Sequence, residues 1–176
     1  MMRAFLPVLG LFLIQQVFSQ HADMLSDEGW ELEKSKYEIE VYGKLLEGYE
    51  IKAFKATGLI EGSVAAVTEV IMDIEGYKDW YPNCKEGEVL EGSTPSDQYR
   101  RVEFKLPWPF DNRDVVNRLT VDERGDDVWI EIINASDYHE ELKNVFRVKR
   151  AEGYWHIIKE SEHETCLLYT SDAADD

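Results

Sequence analysis

DWYPNCKEGEVLEG at residues 79–92 and VEFKLPWPFDNRDVV at residues 102–116 are the two segments whose reading decides the fold. In the second, Val102, Phe104 and Leu106 alternate with Glu103 and Lys105, the period of a half-buried strand. Pro107 and Pro109 hold the chain extended, and Asn112 favours a turn before apolar residues resume at Val115. Val115, Asn117 and Leu119 then share one face of a following strand, while Arg101, Glu103 and Lys105 are expected on the wet side of the sheet.

Period-two patterning extends in both directions from this corner. Upstream, Tyr37, Ile39 and Val41 alternate with Glu38 and Glu40, and YEIKAFKA follows a turn at Glu47-Gly48. Between the strand runs, Ser63 is the expected N-cap of an amphipathic helix with Val64, Val67, Ile71 and Ile74 on one face and Gly76 as its stop. Strands are also expected at residues 87–90 and 98–106. Downstream, residues 115–123 and 128–134 form a hairpin about Arg124-Gly125-Asp126-Asp127, and residues 146–149 and 154–159 form another turning near Glu152-Gly153. Strands, one helix and a long antiparallel meander predict an α+β class with helix packed on one side of a curved sheet.

Trp80, Pro82-Asn83, Lys85, Val89, Leu106-Pro107-Trp108-Pro109 and Asn112-Arg113-Asp114-Val115 together resemble the START domain, the lipid-transfer family related to steroidogenic acute regulatory protein. Weaker similarity runs from about Trp30 to about Glu164. The resemblance implies a helix-grip fold, a curved antiparallel sheet around a helix. It also implies a cup that holds a hydrophobic small molecule or lipid, with transient membrane contact and a monomeric carrier. The cup-facing positions it implies are Val102, Phe104, Leu106, Val115, Asn117 and Leu119. Leu119 stands where sterol carriers of the family have a cavity arginine, which tells against a cholesterol-specific ligand. The wider superfamily includes polyketide cyclases, so a cavity enzyme is an alternative, as is an interaction module whose cup is filled by its own side chains.

The two ends of the chain read differently from its middle. Met1-Met2-Arg3 and the apolar segment 4–18, too short for the ~20 residues that span a bilayer, are expected to be a signal peptide cleaved before Gln20, which implies a secreted or periplasmic protein. CLLYTSDAADD, residues 166–176, resembles the translation of a sequencing adapter, so the domain is expected to occupy residues 20–165, with the closing C-terminal helix of the family missing and a sheet edge left open. Setting aside Arg3, Asp172, Asp175 and Asp176 changes the net charge from −17 to −15, a surface that repels nucleic acid and anionic bilayers.

Little in the sequence nominates chemistry. His21, His139, His156 and His163 share no metal-ligand spacing with one another or with Cys84, and phosphate-binding glycine loops and nucleophile elbows are lacking, so no metal, cofactor or catalytic residue is expected. With the tail set aside Cys84 is the one remaining thiol and reads as a small buried apolar group. Arg113 either brackets loop carbonyls or a carboxylate with its planar fork, or meets the ligand, and Asp114 is expected to accept backbone N–H groups. Each of Trp30, Trp80, Trp108, Trp129 and Trp155 reads as core or sheet-face packing; a cavity is argued from the aromatics collectively.

Overall fold

The structure, a computed structural model, describes residues 26, 28–46 and 51–174. The expected signal peptide and the Glu47-Gly48 turn lie outside these residues. The strands are β1 (Glu31–Lys36), β2 (Ile39–Lys44), β3 (Ala53–Glu61), β4 (Cys84–Val89), β5 (Asp97–Phe104), β6 (Asn112–Arg124), β7 (Asp127–Asn134), β8 (Val145–Arg147), β9 (Arg150–Lys159) and β10 (Glu164–Ala174). They form one sheet in the order β1-β2-β3-β10-β9-β7-β6-β5-β4, with β8 added to β6. Two helices, α1 (Val64–Met72) and α2 (Tyr77–Trp80), connect β3 to β4. The α+β expectation is thus met by a curved, unclosed antiparallel sheet around a helix, and among the described residues no helix follows β10.

Alternation decides which side of the sheet each strand residue serves. Leu119 on β6, Val128 and Ile130 on β7, and Trp155 and Ile157 on β9 point to the concave face and pack against Val67 and Ile71 of α1. Ser63 caps α1 by accepting from the Ala66 amide at 3.3 Å. The β6–β7 turn closes at Gly125 with φ +69°, as the sequence predicts.

Several strand and turn expectations are corrected. Tyr37 and Glu38, expected within a strand, have φ of +55° and +61° and make the turn between β1 and β2. Residues 146–149 and 154–159 do not form a hairpin: β8 pairs in parallel with β6 at Asn112–Asp114, and β9 already begins at Arg150. Gly153 is a mid-strand residue rather than a turn, and a Cβ there would meet the Thr170 carbonyl oxygen at 2.1 Å, so glycine permits the close approach of β10. Thr165, the expected end of the domain, lies near the start of β10, which pairs with β3 on one side and β9 on the other. The open edge is filled because Leu167, Tyr169 and Ser171 turn inward while Thr170 and Asp172 are buried on the other face.

The face expected to be wet is partly buried. Lys105 is exposed, but Arg101 and Glu103 are each 2% exposed. They can be buried because other elements supply the opposite charge. Arg101 reaches Asp114 Oδ2 at 3.0 Å, Glu103 Oε2 at 2.8 Å and Glu88 Oε1 at 2.8 Å. Asp114 is 0% exposed and accepts from Arg147 Nε at 2.8 Å and Nη2 at 2.9 Å, so it binds two guanidinium groups and not the backbone amides expected of it. Arg147 also donates to the carbonyls of Ser136 (2.6 Å) and His139 (2.9 Å), pinning the loop between β7 and β8.

Burial opposes ionisation of Asp114, yet hydrogen bonding and charge from Arg147 and Arg101 outweigh it and hold the carboxyl below its ordinary range. A lowered native pKa contributes stability above the unfolded carboxylate range that is lost as pH falls through the native value. Asp114→Asn should therefore cost about 3–5 kcal/mol, because it leaves two buried guanidinium groups without their shared counter-charge. Urea unfolding midpoints at neutral pH measure this, and a wild-type midpoint would contradict it.

Candidate functional site

Curvature of the sheet leaves a cavity of about 250 Å³ between the concave face and the α1–α2 segment. Five of the seven predicted site residues line it: Val102 and Phe104 from β5, and Val115, Asn117 and Leu119 from β6. The β5–β6 register explains why, since Val102 faces Val115 and Arg100 faces Asn117 across the pair. The other two lie elsewhere. Leu106 follows the end of β5 and is outside the lining, and Arg113 sits over the Phe146 ring at 5.5 Å, held at the rim of the sheet rather than in the cavity.

The remaining wall was not predicted. Phe54, Ile74, Tyr77, Tyr81, Arg100, Ile132, Ala151, Trp155, Tyr169 and Ser171 complete it. Aromatic rings dominate one side: Trp155 stacks on Tyr169 at 3.9 Å, Tyr77 stacks on Tyr81 at 5.3 Å, and Tyr81 leans on Phe104 at 5.7 Å. Of the five tryptophans only Trp155 contributes; Trp108 is 92% exposed on the loop after β5, and Trp80 is exposed on α2. A signal for Arg100 was present, because it shares the parity of Val102 and Phe104 on the same strand and so must face inward with them.

Arg100 is 1% exposed. Its guanidinium donates to the carbonyls of Ile71 (Nη1, 3.0 Å) and Met72 (Nη2, 2.8 Å), the last two residues of α1, and to Gln98 Oε1 at 2.9 Å. Cationic side chains commonly cap helix C-termini in this way. Tyr77 joins the arrangement by donating its hydroxyl to the Ile71 carbonyl at 2.8 Å and accepting from Arg100 at 3.3 Å.

Burial pushes the Tyr77 phenol up to about 12, against the opposing pull of Arg100, and burial likewise holds Tyr169 well above its ordinary value. Both rings are neutral at physiological pH. Two other hollows flank α1. The first, of about 650 Å³, has Glu69, Glu123, Asp126, Asp127 and Glu162 in its walls and is open and acidic. The second, of about 280 Å³, is an apolar groove lined by Ile60, Val67, Val70, Ile71, Trp80, Trp155 and Leu167. Among the described residues no group of three His, Cys, Asp or Glu is arranged to hold a metal ion.

Comparison with known proteins gives one consistent family. The sequence matches the START domain over residues 15–173. An uncharacterized protein of Pseudomonas aeruginosa is 27% identical over 158 residues, which span 89% of this chain and 77% of that protein. Mouse phosphatidylcholine transfer protein is 30% identical over 132 residues, 72% of this chain and 61% of the mouse protein. Among solved structures, the STAR-related lipid transfer protein of Xanthomonas axonopodis superposes with a TM-score of 0.78 at 26% identity, covering 84% of this chain and 83% of that one.

The Tyr77 geometry gives a pH dependence. A phenol whose native pKa is raised stabilises the fold fully below its unfolded value near 10 and loses that contribution as pH rises through about 12. Unfolding midpoints should accordingly fall between those two pH values, and Tyr77→Phe should flatten part of the decline. An equally steep alkaline decline in the variant would contradict the assignment.

Proposed function

Because the chain belongs to the START domain family, we propose that it binds a hydrophobic small molecule, of lipid character, in the concave cavity and carries it without chemical change. The observation that supports this most is the wall itself: Val102, Phe104, Val115, Leu119, Trp155 and Tyr169 present apolar surface around a concave space. Binding sites for apolar ligands have this composition, with few polar groups. Each methylene moved from water into such a space gains ~0.8 kcal/mol, so several are enough to hold a ligand by burial alone.

A cavity enzyme of the wider superfamily needs a proton donor and acceptor facing the space. Among the described residues Arg100 is the only ionised one in the wall, and no carboxylate or histidine joins it. That composition favours the carrier over the catalyst. Delivery to a membrane is part of the proposal, supported by the exposed Trp108 and Phe110 on the loop after β5, since tryptophan favours the bilayer interface. Export to the periplasm or cell exterior is proposed on the short apolar leader alone.

Replacing Leu119, which is 3% exposed, with Arg puts an additional charge into the cavity floor beside Arg100, and burying an unpaired charge costs several kcal/mol. Leu119→Arg should abolish uptake of a fluorescent fatty acid while the circular dichroism spectrum stays native. Unchanged uptake by the folded variant would place the ligand elsewhere.

A further inference from the structure

The cavity wall carries a positive charge without an anion. Among the described residues Arg100 makes no ion pair, and every acceptor it uses is neutral: two carbonyls, an amide oxygen, a phenol and the thioether of Met72 at 3.2 Å. Asp73, which acts on it electrostatically, turns its carboxylate to the Gly76 amide at 3.2 Å. The C-terminal end of α1 supplies a partial negative charge of roughly half a unit, so the guanidinium is only partly balanced. Tyr77, Tyr81, Tyr169, Asn117 and Ser171, the other polar groups of the wall, are uncharged.

Two of the five guanidinium hydrogens rest on poor acceptors. A thioether sulfur is a weak acceptor, and the Tyr77 oxygen at 3.3 Å is long for an N–H···O bond. These are the hydrogens an incoming anion would take, and a carboxylate matches the guanidinium fork with two parallel bonds. The size of the space limits what can carry that anion. At about 250 Å³ the cavity equals ~8 waters at ~30 Å³ each, and it lies below the ~300–1,000 Å³ range of sites for drug-sized ligands.

We infer that the cup selects a single-chain amphiphile bearing one carboxylate, with the carboxylate on Arg100 and the chain against Leu119 and Trp155, and not a two-chain phospholipid. The inference rests on the carrier reading and narrows its ligand class. Charge selectivity, not affinity alone, is its signature, because a residue that only capped α1 would favour charged and neutral ligands alike.

The test is calorimetric titration of the full chain with decanoate and with decanol at neutral pH. Wild type should bind decanoate roughly tenfold or more tightly than decanol, the scale of a hydrogen bond to a charged group. Arg100→Gln should bring the two within about twofold, whereas Arg100→Lys should keep part of the preference. A ratio unchanged in Arg100→Gln overturns the inference in favour of a purely structural cap. Equal wild-type affinities also overturn it while leaving the carrier reading intact, and binding of neither ligand removes both. If Arg100→Gln does not fold, the wild-type ratio and its loss as the pH is lowered through the carboxylate range decide the matter; a ratio that does not change with acidification overturns the inference.

Discussion

The carboxylate of Asp114, shared between Arg101 and Arg147, is the interaction from which the geometry of the site follows. Asp114 belongs to β6, Arg101 to β5 and Arg147 to β8, so one buried anion ties three strands at the end of the sheet where the cavity lies. Its position on the convex side leaves the opposite parity of the same strands free to be apolar. Val102, Val115 and Leu119 line the cavity because Arg101 and Asp114 are held on the other face. Removing two charges from water is costly, and satisfaction by Glu88, Glu103, Lys85 and the loop carbonyls is what makes the network tolerable.

Alternation made one half of this legible in the sequence. Period two groups Val102 with Phe104 and Val115 with Leu119, the family resemblance turns them and Asn117 toward the cup, and the β5–β6 register brings the two strands together. Alternation overreached at Leu106, where the strand has already ended; Arg113, left between a structural bracket and a ligand contact, lies over the Phe146 ring outside the cavity lining. It also read Arg101 and Glu103 as wet, because a polar residue on a strand is ordinarily solvated unless a distant partner arrives. Arg147 lies 33 residues from Asp114, beyond the reach of any local pattern. Arg100 was within reach, since parity puts it inside, but its polarity masks it in a search for apolar lining. β10 is a local hairpin partner of β9, but its pairing with β3 joins residues more than a hundred positions apart, such as Thr165 to the Gly62 carbonyl, and no local signal carries that side.

The two arginine clusters divide the labour of the fold. On the convex side, Arg101 and Arg147 each meet buried carboxylates, Arg147 spending its remaining donors on loop carbonyls, and both serve architecture. On the concave side, Arg100 ties the end of α1 to β5 with neutral acceptors only, which leaves charge in the cavity wall. Helix position and ligand preference are therefore coupled through one side chain: whatever moves α1 moves the guanidinium. Beside the aromatic wall of Tyr77, Tyr81, Trp155 and Tyr169 that charge is buried, and an opposite charge is felt more strongly there than in water.

The ligand is proposed to reside in the concave cavity. Anomalous X-ray scattering from crystals grown with a terminally brominated decanoate tests it most directly, because the bromine reports position independently of affinity. The account predicts a single bromine peak inside the space bounded by Leu119, Trp155 and Tyr169. A peak confined to the apolar groove beside Val70 and Trp80, or on the outer face of the sheet, would contradict it.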